Sequence, residues 1–201
     1  MAATASPYGL VPHSMAGGAP YSGAFDMIPI TSAYGTRISN GDPVQIVAAG
    51  TIEKVTTVGT NASPWPVNTI GVFVGCTYTD TNLGFISSNV WPASQAVVSG
   101  TTPMAHVVTD PNVIFRIQAD DALAQTELGM NYAINVSTST ATSGKSNASL
   151  DVATAAVTNT LALKVVGFYA VEGFSAIGDA KTDALVKINP LSHAYTGGTG
   201  L

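Results

Sequence analysis

Apolar and polar residues alternate along the middle of the chain, and alternation with period two is typical of strands that bury one face. Three strands are predicted there, at residues 43–47, 51–55 and 70–78. Residues 48–50 (Ala-Ala-Gly) form a three-residue hairpin loop between the first two strands, with glycine where a positive φ is needed. The stretch that holds these three strands is predicted to fold as a unit, and no residue pattern in it indicates a catalytic site.

The same alternation predicts a core from strands elsewhere in the chain. It recurs after the Asp-Pro-Asn turn at residues 110–112, within residues 160–171 and at residues 185–189. In the strand at 70–78, the even-numbered residues share one predicted face. The side chains predicted to form the structural core are Ile70, Val72, Val74, Cys76, Phe115, Ile117, Leu163, Val165, Val186 and Ile188.

Weaker signals complete the prediction of an all-β chain. Residues 25–32 are predicted to form an edge strand because a proline interrupts them, and a further strand is predicted at residues 104–108. Asp120 or Asp121 can cap one short helix that ends at Leu128. Turn signals recur at intervals typical of a sandwich or a barrel. We therefore expect an all-β fold with at most one short helix.

Composition divides the chain into an arm, a body and a tail. Residues 1–24 are rich in Gly, Ala, Ser and Pro, residues 25–195 carry the strands, and residues 196–201 are glycine-rich. The body is expected to be one domain or two small β subdomains, 25–110 and 111–195. The N-terminus lacks the regions of a secretory signal, so we expect synthesis in a cytoplasm.

Two interpretations of the N-terminal segment stay open. It is either a solvated, disordered tail or an extended arm that orders against a neighbouring protein. Its aromatic residues and low charge favour the arm. The residues predicted to contact a capsid or another neighbour are Tyr8, Leu10, Val11, Pro12, Met15 and Tyr21.

The composition favours assembly. Hydrophobic residues make up 46% of the 201 residues, whereas charged residues make up only 9%, against about 25% in an average protein. A neutral polar surface can pack against another protein at little desolvation cost, although extracellular adhesins share this trait. The net charge of −5 and the scattered basic residues predict no binding to nucleic acid. No amphipathic or long apolar segment predicts contact with a membrane.

No pattern in the sequence indicates catalysis, a metal or a cofactor. His13, His106 and His193 have no partner at metal-ligand spacing, and His193 is predicted at the surface or at an interface. The single cysteine, Cys76, is predicted to be a buried structural thiol. No Gly-x-Ser-x-Gly motif is present. We therefore expect a protein without enzymatic activity.

Short sequence blocks, spread over most of the chain, carry a resemblance to a known family. They are residues 7–12 (PYGLVP), 34–38 (YGTRI), 41–44 (GDPV), 50–52 (GTI), 70–72 (IGV), 178–180 (GDA), 186–189 (VKIN) and the His-x-Tyr of residues 193–195. With these blocks the chain resembles the capsid decoration (cement) proteins of tailed bacteriophages, especially a marine and cyanophage group. The order of its first strands and turns is also similar to that of the smaller lambda-type head decoration proteins.

The resemblance implies a structural virion protein with a β-barrel or β-tulip-like body. Lambda-type decoration proteins form trimers on the three-fold positions of a capsid. The resemblance therefore implies a homotrimer that binds the major capsid protein on the outside of the shell and reinforces coat-subunit junctions. Such a protein is made in the host bacterial cytoplasm, resides on the virion and has no catalytic residues. This chain is longer than the lambda-type proteins and carries an extra C-terminal β segment.

Two other functions stay open. A cell-surface or glycan-binding β module of a phage tail or adhesin fits the polar composition, with Trp65 on a proline-flanked loop and Trp91 as exposed aromatic residues. A small hydrolase ranks well below it, because the sequence shows no recognisable nucleophile–base pair.

Overall fold

The computed structural model describes residues 5–136, 143–171 and 175–197 of the chain. These residues form fourteen β-strands and two short 3-10 helices. The strands are β1 (Val11–Met15), β2 (Asp26–Pro29), β3 (Ile38–Ser39), β4 (Pro43–Ile46), β5 (Ile52–Lys54), β6 (Thr69–Asp80), β7 (Gly84–Ser88), β8 (Val90–Trp91), β9 (Met104–Val108), β10 (Val113–Gln118), β11 (Asn131–Asn135), β12 (Ser149–Ala156), β13 (Leu163–Phe168) and β14 (Asp183–Ile188). The 3-10 helices span Gln125–Glu127 and Pro190–Ser192.

Two antiparallel sheets contain most of these strands. Sheet I has the order β1-β10-β14-β13-β11-β12, and sheet II has the order β2-β9-β6-β4-β5, with β7 also paired to β6. Strands β3 and β8 pair separately. Strands account for 44% and helices for 3% of the residues, which confirms the predicted all-β fold. In the described part of the chain neither sheet closes into a barrel.

The predicted central hairpin is present. Strands β4 and β5 pair with Val44 opposite Lys54, and the Val47 amide donates to the Thr51 carbonyl at 2.9 Å. Gly50 has a φ of 73°, a conformation that strains residues with a Cβ atom. Glycine at this position therefore allows the three-residue loop to close.

The prediction of a single apolar face along β6 is wrong. Ile70, Phe73 and Cys76 pack in one hydrophobic core, whereas Val72 packs in the other. The pairing of β6 with β4 skips Ile70, and its pairing with β9 skips Val74. Each such bulge moves the following side chains to the opposite face of the strand. Strand β6 therefore contributes to both cores, which simple alternation cannot reveal.

Buried side chains form two hydrophobic cores. The first covers the inner face of sheet I and also receives Val55, Trp65 and Val72 from the first half of the chain. The second is built on sheet II and contains Phe73 and Trp91. Nine of the ten residues predicted for the core are buried, and Val74 is half-buried. Residues from both sides of position 110 share the first core, and a division of the body there stays a prediction.

The N-terminal segment is part of the body. Strand β1 is the edge strand of sheet I and pairs with β10, and Leu10 is fully buried in the first core. The Gly9 amide donates to the Ala148 carbonyl at 3.1 Å, and the Leu10 amide donates to the Gly41 carbonyl at 3.0 Å. Between Gly9 and Met15 the segment therefore packs against its own chain, and contact of the segment with a neighbouring protein stays a prediction. Residues 1–4 and residues 198–201 of the expected tail lie outside the described residues.

A buried ion pair lies where several segments meet. Asp42 Oδ2 is 3.0 Å from Lys54 Nζ, and the two side chains are 1% and 6% exposed. The same carboxylate accepts hydrogen bonds from the Ser39 amide at 2.8 Å and the Ser146 hydroxyl at 2.6 Å. The preceding residue, Gly41, donates to β6 and accepts from the N-terminal segment. The ion pair therefore connects hairpin β4–β5 to both halves of the chain.

The region after Asp120 differs from the prediction. No α-helix forms there, and the only helical turn between β10 and β11 is the 3-10 turn at Gln125–Glu127. The Asp120 carboxylate accepts hydrogen bonds from the Val152 amide at 3.0 Å and from Asn135 Nδ2 at 2.8 Å. Asp120 therefore joins β11 and β12 instead of capping a helix. The sequence pattern does not predict β12, because that strand combines small and polar side chains.

Replacing Asp42 by asparagine is expected to lower the free energy of unfolding by about 3–5 kcal/mol, because the Lys54 ammonium would stay buried without its counter-charge. Urea unfolding followed by circular dichroism measures the change. Asp121→Asn, at an exposed carboxylate, is the matched control and is expected to change the free energy by less than about 0.5 kcal/mol. Equally small effects of the two substitutions would contradict a structural role for the ion pair.

Candidate interaction surfaces

The six contact residues predicted in the N-terminal segment do not form one exposed surface. Leu10 is fully buried. The other five are half-buried: Tyr8, Val11, Pro12, Met15 and Tyr21. Met15 and Tyr21 pack against the first core. These side chains attach the segment to its own chain.

The turn that joins β6 to β7 and the start of β7 each expose one large apolar side chain, and we call the two together the hairpin tip. Leu83 is 78% exposed and Phe85 is 74% exposed. The Asp80 carboxylate accepts hydrogen bonds from the amides of Asn82 at 2.7 Å and Leu83 at 2.9 Å, and Gln95 Nε2 donates to it at 2.8 Å. The amide hydrogen bonds lower the pKa of Asp80, so the carboxylate that orders the turn stays charged at neutral pH.

The hairpin tip has the properties of a protein contact. Isolated apolar side chains are ordinary on protein surfaces, but here two large ones are only two residues apart, in an ordered turn and the strand that follows it. Among the described strands, β7 pairs only with β6, so its other edge presents unpaired backbone groups. Exposed apolar side chains beside a free strand edge can bind a protein partner. The sequence gives no signal that Leu83 and Phe85 point outward.

A second feature, which we call the arginine cluster, lies on the outer face of sheet I. The Arg116 guanidinium lies between two tyrosine rings, 5.0 Å from the centroid of Tyr8 and 4.6 Å from that of Tyr169. His13 packs edge-on against Tyr169, with ring centroids 5.3 Å apart. Arg116, Tyr169 and Asp183 line an open cavity of about 310 Å³. Each cation–π contact contributes about 0.5–1 kcal/mol and helps to fix the plane of the guanidinium.

The polar groups of the arginine cluster are incompletely satisfied. The Tyr8 hydroxyl lies close to Asp183 and Arg116, yet Tyr8 Oη, Arg116 Nε and Asp183 Oδ1 are buried without a well-formed hydrogen bond to any described residue. Burial and the Asp183 carboxylate raise the pKa of Tyr8. Burial also raises the pKa of Asp183, and the Arg116 charge acts in the opposite direction. These residues come from distant parts of the chain, so no local pattern predicts the cluster.

The prediction of a buried structural thiol is confirmed. Cys76 is fully buried, and its Sγ atom lies 3.4 Å from the Val90 carbonyl oxygen. Burial raises the pKa of the thiol to about 12. A thiol in this state is a poor nucleophile at physiological pH.

The prediction that His193 lies at the surface or at an interface is wrong. It is 1% exposed, and burial lowers its pKa below the ordinary histidine value. The three histidines have different neighbours, because His13 packs on Tyr169 and His106 stacks on Phe25. The described residues contain no group of three or more His, Cys, Asp or Glu side chains that could hold a metal ion.

The two tryptophans that the glycan-binding interpretation treats as exposed are buried. Trp65 is 2% exposed in the first core, and its indole N–H donates to the Thr57 carbonyl at 3.1 Å. Trp91 is fully buried in the second core, edge-on to Tyr78. Neither ring can serve as a stacking surface for a sugar.

Comparisons of the chain with protein family models, curated proteins and solved structures gave no match. None of the helices in the described ranges is long and apolar enough to cross a membrane. The hairpin tip and the arginine cluster are the candidate interaction surfaces of the described residues.

Cys76 in the folded protein is expected to react with Ellman's reagent at pH 8 at least ~100-fold more slowly than in urea, because the thiol is buried and only about one in ten thousand is ionised at a pKa of about 12. Absorbance of the released chromophore measures the rate, and the unfolded protein is the control. Similar rates for the two states would show that Cys76 is accessible.

Proposed function

We propose that this protein is a structural virion protein that binds the outside of a tailed-phage capsid and reinforces coat-subunit junctions, as a homotrimer at three-fold positions. The observation that carries the proposal is the hairpin tip, an ordered turn that exposes two large apolar side chains. The content of only 9% charged residues and the family resemblance of the sequence blocks support it.

The expected strength of such attachment follows from the two exposed side chains of the hairpin tip. Burying Leu83 and Phe85 in a coat protein would contribute about 1.5–3 kcal/mol for each side chain, so a single tip would bind weakly. Three tips in one trimer would bind far more tightly, because the second and third contacts form within an already attached complex. A surface with few charges adds contact area without burying unpaired ions.

In this proposal the N-terminal segment supports the body rather than forming the main attachment. Removing residues 1–24 would take away strand β1 and the buried Leu10 side chain. Such a truncation would lose stability together with any binding, so it cannot separate the two. Substitutions at the hairpin tip can separate them, because both side chains are exposed in the isolated protein.

A glycan-binding module of a phage tail or adhesin is the second candidate function. The arginine cluster favours it, because Tyr169, Arg116 and Asp183 place an aromatic ring, hydrogen-bond donors and an acceptor around one cavity of about 310 Å³. Sugar hydroxyls both donate and accept hydrogen bonds, so they match such a mixed lining. This function predicts glycan binding by the isolated protein and few copies per particle, whereas a decoration protein is present in many copies.

The double substitution Leu83→Ser and Phe85→Ser is expected to weaken binding to capsids more than tenfold while the protein stays folded, because it removes exposed apolar groups and no core contact. Cosedimentation with capsids of the source phage that lack this protein measures binding, and circular dichroism verifies the fold.

Val157→Ser is the matched control, because Val157 is 86% exposed and lies away from the hairpin tip, after β12. This variant is expected to bind capsids as well as the unchanged protein. Full capsid binding by the Leu83/Phe85 variant would contradict attachment through the hairpin tip. A lack of capsid binding by the unchanged protein would contradict the proposed function itself.

A further inference from the structure

Two lysines face each other on the outer surface of sheet I. Lys164 of β13 is directly opposite Lys187 of β14 in the antiparallel register. Their neighbours along the strands, such as Val165 and Val186, point into the first core, so both lysines point outward. Lys164 is exposed and Lys187 is half-buried. We call these two residues the lysine pair.

This arrangement of two positive charges is unfavourable unless a negative charge lies nearby. Like charges directly opposite on adjacent strands destabilise a sheet. The chain has twelve carboxylate residues and seven basic ones, so acidic neighbours are available in its composition. Within the described residues, however, no carboxylate forms an ion pair with either lysine. The hydrogen bond of Lys187 is to a neutral acceptor, Asn112 Oδ1, at 3.3 Å.

The lysine pair lines a cavity of about 390 Å³ that contains no acidic residue in its described wall. Three asparagines, Asn131, Asn159 and Asn189, also line it. Two of their amide groups are held by hydrogen bonds, with Asn131 Nδ2 donating to the Thr158 carbonyl at 2.8 Å and Asn189 Nδ2 donating to Asn131 Oδ1 at 3.3 Å. The cavity therefore combines two positive charges with neutral amides.

We propose that the lysine pair and Asn159 form a binding site for an oxyanion. When the Lys187 ammonium turns from Asn112 Oδ1 into the cavity, the two ammonium groups on neighbouring strands can share one carboxylate, phosphate or sulfate group, and the amide of Asn159 can donate a further hydrogen bond. The anion would neutralise the repulsion between the lysines. The source of the oxyanion is either a free inorganic ion or an acidic side chain of a protein partner. The site is separate from the hairpin tip and does not depend on the proposed attachment to capsids.

The test is a titration of the full chain with inorganic phosphate at low salt, with heteronuclear NMR and thermal unfolding as readouts. Saturable shifts of amides around Lys164 and Lys187 are expected, together with a rise in Tm. Lys164→Gln and Lys187→Gln are each expected to weaken phosphate binding at least tenfold. Each is also expected to raise Tm without phosphate by about 1–3 °C, because it removes the like-charge contact.

Lys145→Gln is the matched control, since Lys145 is an exposed lysine outside the cavity. It is expected to keep the phosphate response of the unchanged protein. A general salting effect of phosphate would raise Tm equally in all variants, and that result would overturn the proposal. Absence of saturable amide shifts with both phosphate and a short polyglutamate peptide would overturn it as well.

The two probes distinguish the sources of the oxyanion. Tighter binding of the polyglutamate peptide than of phosphate, lost in Lys164→Gln, would support an acidic side chain of a partner. Saturable binding of phosphate alone would support a free inorganic anion. Both outcomes agree with the oxyanion site, and neither depends on whether the protein binds capsids.

Discussion

The buried ion pair between Asp42 and Lys54 is the contact on which the rest of the fold depends. Buried ion pairs add little net stability on their own, because each charge loses its hydration. Here Ser39 and Ser146 also donate hydrogen bonds to the carboxylate, so a specific set of segments must come together to satisfy it. The pair thereby specifies which segments meet, and the Gly41 backbone beside it holds the N-terminal segment against β6.

The two sheets form one body around this ion pair. The bulges in β6 bring Ile70 and Cys76 to the same face as Phe73, towards the second core, whereas Val72 points towards the first, so one strand serves both. Strand β1 completes the edge of sheet I, and the segment before it adds Tyr8 to the arginine cluster. The arginine cluster is therefore positioned by contacts between segments far apart in the sequence.

That dependence explains how much the sequence can predict. Strands β10 and β14 alternate without interruption, and their inward faces are predictable from local pattern alone. The bulges at Ile70 and Val74 are not, because they depend on the partner strands. The proline-flanked Trp65 has the local pattern of an exposed loop, yet its indole fills the first core through contacts that no short window contains.

The same limit applies to the candidate surfaces. The absence of catalytic motifs is a property of the sequence, and the all-β class follows from its alternation. The lysine pair depends on the register of two strands, and the exposure of Leu83 and Phe85 depends on the turn that Asp80 orders. Neither feature can be derived from residue types alone, because apolar residues at other positions, such as Ile70 and Phe73, lie in a core.

We propose that the protein is attached to the outside of a capsid as a trimer at three-fold positions. Electron cryomicroscopy of capsids of the source phage, with and without this protein, tests it most directly. Added density is expected on the outer surface at the three-fold positions, into which three copies of the two-sheet body fit. Shells with no added density, or density confined to the tail, would contradict it.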